Sequence, residues 1–256
     1  MGIHRTKQQR RQAVRALIIR LVTSATLATM IVACFHAYNF LTTTEKLAIS
    51  EVDFQGLSRL NTTEIEEIVG DIKGQNILLV PLQSYAARFA EHPRIRSTEF
   101  RRVLPNRVIC EVTEREPVAL VYSSRFLEVD EEGMIMNSDD LTGLLDLPII
   151  TGVEGGAIKE GKLCADAQLV GALRTLMLCK RFGGRFADNI SELRVGEAGL
   201  SIVSLREGVV LLLGQSEFEN RLKKFFLLQN TIARKNDSAK FIDLRFDDQI
   251  VLRSGI

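Results

Sequence analysis

Leu21 to Leu41 form a run of 21 residues without a single Asp, Glu, Lys or Arg. At about 1.5 Å per residue, a helix of this length is about 31 Å long, which matches the hydrocarbon core of a bilayer. The run therefore predicts one transmembrane helix near the N-terminus. The rest of the chain must then fold on one side of the bilayer or the other.

The charges of the chain divide at the same place. No acidic residue occurs before Glu45, whereas six basic residues precede the run: Arg5, Lys7, Arg10, Arg11, Arg15 and Arg20. By the positive-inside rule, the tail is predicted to be cytoplasmic and residues 45–256 to lie across the membrane. Removing these six from the 33 Lys and Arg leaves 27 basic against 32 acidic residues. The part of the chain after the run therefore has a net charge near −5, which argues against binding of nucleic acid.

Two other interpretations of the apolar run remain open. A cleaved signal peptide has an apolar core of about 7–15 residues, which is shorter than this run, and seldom carries a basic tail of this length. The tetrapeptide Ile31 to Cys34 also resembles a lipoprotein processing box, which would make Cys34 a lipidated first residue of the mature protein.

The segment after the run predicts the order strand, helix, helix, strand, strand. Val52 and Phe54 alternate before Gly56, which indicates a short strand and a turn. Asn61-Thr62-Thr63 supply capping side chains, and the spacing of Thr63 and Glu66 predicts a capping box for a first helix that closes near Gly70. A second helix is predicted over Leu82 to Glu91, and two strand runs flank Leu104-Pro105-Asn106.

This order resembles a POTRA domain, and its details are similar to the FtsQ family of bacterial cell-division proteins, called DivIB in Gram-positive bacteria. The matching pieces are "ISEVDFQGLSRLNTTEIEEIV", "HPRIRSTEFRRVLPNRVICEVTEREPVAL" and the closing "FIDLRFDDQIVLR". The family usually has an aromatic residue where this chain has Leu104. The resemblance implies a non-enzymatic scaffold of the inner membrane and septum that binds FtsB and FtsL, links early and late division proteins and controls septal peptidoglycan synthesis.

The second half predicts an α+β domain with a mostly antiparallel sheet and two helices. The runs "FLEVDEEGMIMN" and "LPIITG" give strands, as do the later segments 190–195, 200–205 and 209–213. Apolar residues at helical spacing predict helices over Ala165 to Phe182 and Phe218 to Arg234. The expected divisions are a basic tail at 1–20, a transmembrane helix at 21–41, a linker at 42–48, a POTRA domain at 49–120 and a β domain at 121–256.

Catalytic patterns are weak, so we expect a protein that is not an enzyme and uses no cofactor. In the outer part, His92 beside Pro93 is the single histidine, and its position favours a capping or surface role. The acidic runs at 130–132 and 139–140 lack the ligand spacing of a calcium loop and are interpreted as solvated turns. The four cysteines show neither zinc nor disulfide spacing, and Cys110 is expected to be buried.

The C-terminal strand pair is the predicted partner-binding site. Ile242, Leu244 and Phe246 alternate with Phe241, Asp243 and Arg245, so the first three are expected to pack on the preceding helix. If this strand lies at a sheet edge, its unpaired backbone can accept a strand from another chain; the alternative is an ordinary inner hairpin. The resemblance implies a binding role for the following residues: Arg245, Phe246, Asp247, Asp248 and Ile250.

Two other function classes remain open. POTRA domains also occur in proteins of envelope export and outer-membrane assembly, which usually carry several POTRA repeats and a β-barrel. The other class is an envelope enzyme, for which the sequence offers no catalytic constellation. The POTRA domain is expected to help recruit the protein to the division site and to contact further division proteins.

Overall fold

A computed structural model describes residues 3–138, 146–154, 156, 158–182, 184–204, 208–235 and 239–254. Its first element is a long helix, α1 (Ile3–Thr43), and the segment Arg10–Thr43 is long and apolar enough to cross a membrane. Hydroxyl groups within this segment donate to carbonyls of the preceding turn, for example Thr29 Oγ1 to Ala25 O at 2.9 Å. This pairing satisfies polar side chains to which lipid would offer no hydrogen bond.

The chain divides into two compact units, and the first of them includes α1. The first comprises Met1–Phe89 and Thr98–Val112, and the second comprises Ala90–Ser97 and Thr113–Ile256. The elements that follow α1 are β1 (Glu51–Gln55), α2 (Thr62–Val69), α3 (Leu82–Ala90), β2 (Ile95–Val103) and β3 (Arg107–Glu114). Their order confirms the predicted strand, helix, helix, strand, strand arrangement.

A three-stranded sheet with the order β1-β3-β2 organises the first unit. β1 and β3 run parallel, with Glu51 opposite Arg107 and Gln55 opposite Glu111. The buried side chains of this unit come from both helices, the sheet and the loops between them: Ile49, Ile65, Val69, Ile72, Ile77, Tyr85, Phe89, Val108 and Cys110. The apolar periodicity that predicted α2 and α3 therefore marks the faces that these helices bury.

The N-terminus of α2 lies two residues before the predicted capping box. The helix begins at Thr62, which makes Asn61 the N-cap and Glu64 the third helical residue. The Asn61 backbone N–H donates to the Glu64 carboxylate at 3.4 Å. The assignment of Thr63 and Glu66 to the box was wrong because both lie inside the helix.

The second unit contains a nine-stranded sheet and two helices. The elements are β4 (Pro117–Tyr122), β5 (Phe126–Asp130), β6 (Ile135–Met136), β7 (Ile149–Thr151), α4 (Ala167–Phe182), β8 (Ile190–Gly196), β9 (Gly199–Ser204), β10 (Val210–Gly214), α5 (Phe218–Lys235), β11 (Ala239–Asp243) and β12 (Val251–Ser254). The strand order is β12-β11-β10-β9-β8-β7-β4-β5-β6. The predicted domain boundary at residue 120 falls within β4, a strand of this sheet.

The direction of the strands follows from the connections between them. Five of the eight neighbouring pairs are antiparallel, in line with the predicted mostly antiparallel sheet. Two of the three parallel pairs, β7 with β8 and β10 with β11, are joined in sequence through α4 and α5. A parallel pair needs such a crossover, which a tight turn cannot supply. The two helices pack against each other, α4 also against β8 and α5 against β10.

The acidic turn after β5 differs from the solvated turn that we expected. Asp130 is buried, and its Oδ2 accepts from Arg115 Nη1 at 2.6 Å. Its Oδ1 accepts from the backbone N–H groups of Glu132 and Met134 at 3.0 and 2.8 Å. The turn is therefore built around a buried, fully bonded carboxylate, and the prediction was wrong for Asp130. The other acidic run, 139–140, lies outside the described residues.

Gly152 follows β7 at a point where only glycine fits. Its φ is +84°, and a Cβ atom there would lie 1.9 Å from the carbonyl oxygen of Val195 on β8. This close approach lets the chain leave β7 directly beside its parallel neighbour. Gly196, one residue beyond Val195, has no atom within 4 Å of a Cβ and does not need a positive φ.

We expect Gly152→Ala to lower the free energy of unfolding by roughly 3 kcal/mol, because the new methyl group meets backbone and the φ is strained. Gly196→Ala is the matched control and should change stability by less than about 0.5 kcal/mol. Urea unfolding of the detergent-solubilised chain, followed by circular dichroism, measures both. Equal unfolding midpoints for the two variants would contradict the close approach.

Candidate partner-binding site

The large sheet ends in β6 on one side and β12 on the other, and the two edges differ. The backbone of a later segment covers β6: Ile135 N–H donates to Lys162 O at 3.1 Å, and Gly161 N–H donates to Ile135 O at 2.9 Å. Among the residues that the structure describes, β12 pairs with β11 alone. The other side of β12 therefore presents backbone donors and acceptors that can take a further strand.

The open edge belongs to β12, not to the strand that carries "FIDLRF". β11 lies between β10 and β12, and its register with β12 places Phe241 opposite Arg253 and Asp243 opposite Val251. The expectation that the Phe241–Phe246 strand itself offers an edge is corrected by this order. The predicted site residues instead lie on the β11–β12 loop, which we define as residues 244–250. The loop leads directly into the edge strand.

The predicted alternation of side chains holds for part of this segment. Ile242 and Leu244 are buried in the core with Leu222 and Phe225 of α5, as expected. Phe246, expected on the same face, is 43% exposed because the ladder with β12 ends at Asp243 and the chain then leaves the sheet. Its ring is available to a partner, although it contributes little to the core.

Asp243 and Arg245 form the best-defined polar contact of the site. Arg245 Nη2 and Nε donate to the two carboxylate oxygens of Asp243 at 2.7 and 2.9 Å, and the Arg245 backbone N–H adds a bond at 3.1 Å. Asp243 is 1% exposed. The hydrogen bonds from Arg245 lower the pKa of this carboxyl group, with a further electrostatic contribution from Arg253. Arg245 thus neutralises a buried charge within its own chain.

A second contact fixes the middle of the loop. Lys224 of α5 donates from Nζ to the backbone carbonyl of Asp247 at 2.6 Å. The side chains of Asp247 and Asp248 are exposed, and Ile250 is half-buried beside the core. The loop therefore presents an aromatic ring and two carboxylates from a backbone held at Arg245 and at Asp247.

Three features of the site were missed from the sequence: the edge position of β12, the burial of Asp243 and the contact from Lys224. The i, i+2 spacing of Asp243 and Arg245 was a usable signal for the second, because such residues share one face of an extended chain. The other two depend on strand order and on a helix more than twenty residues away, which no local pattern reports.

Reactive groups are few in the described part of the chain. His92 Nδ1 accepts from the Arg94 backbone N–H at 3.3 Å, as in a turn. Cys110, Cys164 and Cys179 are buried, and burial raises the pKa of Cys110 and of Cys179 to about 12. No group of three or more His, Cys, Asp or Glu among the described residues could hold a metal ion.

Comparison with known families matches two consecutive parts of the chain. A family described as "POTRA domain, FtsQ-type" matches residues 47–115. A second, described as "Cell division protein FtsQ/DivIB, C-terminal", matches residues 119–245. The second match stops at Arg245, so the remainder of the loop and β12 lie beyond it.

Several relatives that share one name are similar to this chain over most of its length. A protein called Cell division protein FtsQ from Syntrophotalea carbinolica is 30% identical over 202 residues, or 76% of this chain and 70% of the relative. One from Anaeromyxobacter sp. is 29% identical over 238 residues, or 93% and 81%. One from Myxococcus fulvus is 28% identical over 202 residues, or 79% and 71%.

The lowered pKa of Asp243 predicts acid sensitivity. Its folded value lies below the unfolded value of about 3.9, so the stabilisation is complete above that value and is lost as the pH falls through the folded pKa. Asp243→Asn should cost about 1–2 kcal/mol at pH 7 and should weaken the acid-dependent loss of stability below about pH 4. Urea unfolding midpoints at pH 7, 4 and 3 test this, and parallel pH curves for variant and unaltered chain would contradict it.

Proposed function

Because this chain belongs to the FtsQ/DivIB family of cell-division proteins, we propose that it acts in the divisome as a non-enzymatic scaffold of the inner membrane. It links early and late division proteins and controls septal peptidoglycan synthesis by binding FtsB and FtsL through its second unit. A short basic tail is cytoplasmic, and residues 45–256 are periplasmic at the septum. The POTRA domain, taken as residues 49–120, helps to recruit the protein there.

The observation that carries this proposal is the open edge of β12. A strand from a partner can add to it, so that the nine-stranded sheet gains a tenth strand through backbone hydrogen bonds. The opposite edge is already covered by its own chain, which favours β12 as the docking position. Main-chain bonds then supply much of the affinity, and side chains beside the edge supply the specificity.

The β11–β12 loop supplies those side chains. Phe246 acts as an apolar anchor because its ring is exposed next to the edge, and aromatic side chains dominate binding energy at interfaces. Asp247 and Asp248 pair with basic groups of the partner, and Ile250 supports the first residue of β12. Arg245 has a mixed role, since its guanidinium already pairs with Asp243 while its side chain remains partly exposed.

The pairing of Arg245 with Asp243 decides how the site should be tested. Arg245→Glu would place a second carboxylate against a buried one and would disturb the fold. A loss of binding would then not show whether Arg245 contacts the partner. Substitutions at Phe246 and in β12 avoid this problem. Leu227 on α5, which is 82% exposed, offers a control for a change of exposed apolar surface.

We expect Phe246→Ala to weaken binding of the FtsB and FtsL periplasmic segments about tenfold, the loss typical of an exposed aromatic anchor. Leu227→Ala should leave the affinity unchanged. The measurement is titration of the detergent-solubilised full chain with both segments from the same organism. Absence of binding by the unaltered chain would refute the partner assignment, and equal affinities for both variants would refute the role of Phe246.

Proline substitutions test strand addition itself. Consecutive residues of an antiparallel strand direct their N–H groups alternately inward and outward, so one of Leu252→Pro and Arg253→Pro removes a bond to β11 and the other removes an outward donor. The variant that loses the outward donor should keep its unfolding midpoint and lose at least tenfold in affinity. If the variant that remains folded binds normally, the partner does not dock on β12.

A further inference from the structure

We propose that the end of the first unit next to α1 is a lipid-binding face, in which Leu78, Leu79 and Leu104 insert into the bilayer interface beside the transmembrane helix. The proposal requires that α1 spans the membrane and is independent of the docking of division proteins. The following contacts, all within the first unit, carry it.

Asn76 joins the loop after α2 to the end of α1. Its side-chain Nδ2 donates to the carbonyls of Leu41 and Thr42 at 2.8 and 3.1 Å. These carbonyls belong to the last turn of α1, which has no further helical residues to bond them. The Asn76 Oδ1 atom accepts from the backbone N–H of Leu78 at 2.9 Å. One side chain therefore holds the loop against the point where the helix ends.

Backbone pairing makes this connection rigid. Residues 47–49, directly after α1, pair antiparallel with residues 75–77. Ile49 N–H donates to Gln75 O at 2.8 Å, and Ile77 N–H donates to Leu47 O at 2.8 Å. Within the loop, Leu79 and Val80 both donate to the Asn76 carbonyl, at 3.0 and 2.9 Å. The loop is thus a defined turn at the C-terminal end of α1.

Two leucines project from this turn although the residues on either side are buried. Leu78 is 44% and Leu79 is 56% exposed, whereas Ile77 and Val80 belong to the core. The buried pair fixes the turn, so the exposed pair cannot fold inward. Two adjacent exposed leucines on a rigid turn form an apolar surface of the kind that marks an interaction site.

The β2–β3 hairpin adds a third leucine at the same end of the unit. Arg102 donates from Nε to Ile77 O and from Nη2 to Val80 O, both at 2.7 Å. This pair of bonds fastens the end of β2 to the loop. Leu104, two residues further along at the tip of the hairpin, is 61% exposed. An exposed apolar side chain therefore lies two residues from Arg102, which is bonded to the loop that carries Leu78 and Leu79.

Continuity with α1 identifies the occupant as lipid. Phe40 and Leu41 in the last turns of α1 are exposed apolar side chains, and Asn76 bonds to the carbonyl of Leu41 itself. A helix that crosses the bilayer ends at the headgroup region, where apolar side chains enter the acyl boundary and a cationic group stays among the phosphates. The three leucines and Arg102 have this arrangement.

The chain contains no tryptophan, so one introduced Trp reports its own surroundings. The full chain, carrying Leu79→Trp or Leu104→Trp, is reconstituted into phosphatidylcholine–phosphatidylglycerol vesicles whose acyl chains are partly brominated. We expect at least about twofold quenching and a blue-shifted emission for both, because bromine quenches only at contact with the acyl region. Gln55→Trp, at the opposite end of β1, is the control and should be neither quenched nor shifted.

Two further measurements separate lipid contact from effects of the introduced ring, which itself favours interfaces. Vesicles that contain a photoactivatable acyl chain should label residues 76–81 and 102–106 of the unaltered protein, in addition to α1, and leave residues 53–59 unlabelled. Asn76→Asp keeps the acceptor for Leu78 but cannot donate to α1, so it should reduce the quenching at residue 79.

Quenching of Leu79→Trp and Leu104→Trp no stronger than that of Gln55→Trp, or photolabelling confined to α1, would overturn the proposal. That result would assign the leucine face to a protein partner instead.

Discussion

The need to pair every backbone donor and acceptor shapes this protein at its helix end and at its sheet edges. The carbonyls in the last turn of α1 cannot be bonded within the helix, and the side chain of Asn76 bonds two of them. The short edge strand β6 is covered by the backbone of residues 161–163. At the other edge of the large sheet, β12 pairs with β11 alone among the residues that the structure describes. Where pairing is complete the structure is closed, and where it is incomplete a partner can be added.

Buried charges follow the same rule of complete pairing. Glu128, Asp130 and Asp243 are buried, and arginine side chains bond all three at 2.6–3.0 Å. Removing a charge from water is costly unless such bonds replace the lost hydration. Arg245 therefore has a structural role before it has any role in recognition. A residue that a family resemblance assigns to a binding site can therefore be required for the stability of its own fold.

The order of elements could be predicted from the sequence because it depends on local periodicity. The alternation around Val52 and Phe54, the helical spacing in α4 and α5, and the turn at Leu104-Pro105-Asn106 all lie within short windows. The edge position of β12 and the burial of Asp130 could not be predicted. The first depends on which strands become neighbours after α5 crosses the sheet, and the second on Arg115, fifteen residues earlier. The part of the site that lies on the β11–β12 loop was found through resemblance, whereas the edge itself needed the strand order.

The proposed recognition through a strand edge is compatible with a family match that ends before the edge strand begins. The match to the FtsQ/DivIB C-terminal family ends at Arg245, and the edge strand begins at Val251. Buried positions restrict side-chain size, so a shared core leaves a clear sequence signal. Backbone hydrogen bonds to a partner exclude mainly proline from an edge strand and allow most other residue types there. Under this proposal, a docking edge can be kept at 28–30% identity without keeping the residues that form it. It follows that strand order, and not residue identity, is the property to compare when the proposed docking site is sought in other members of the family.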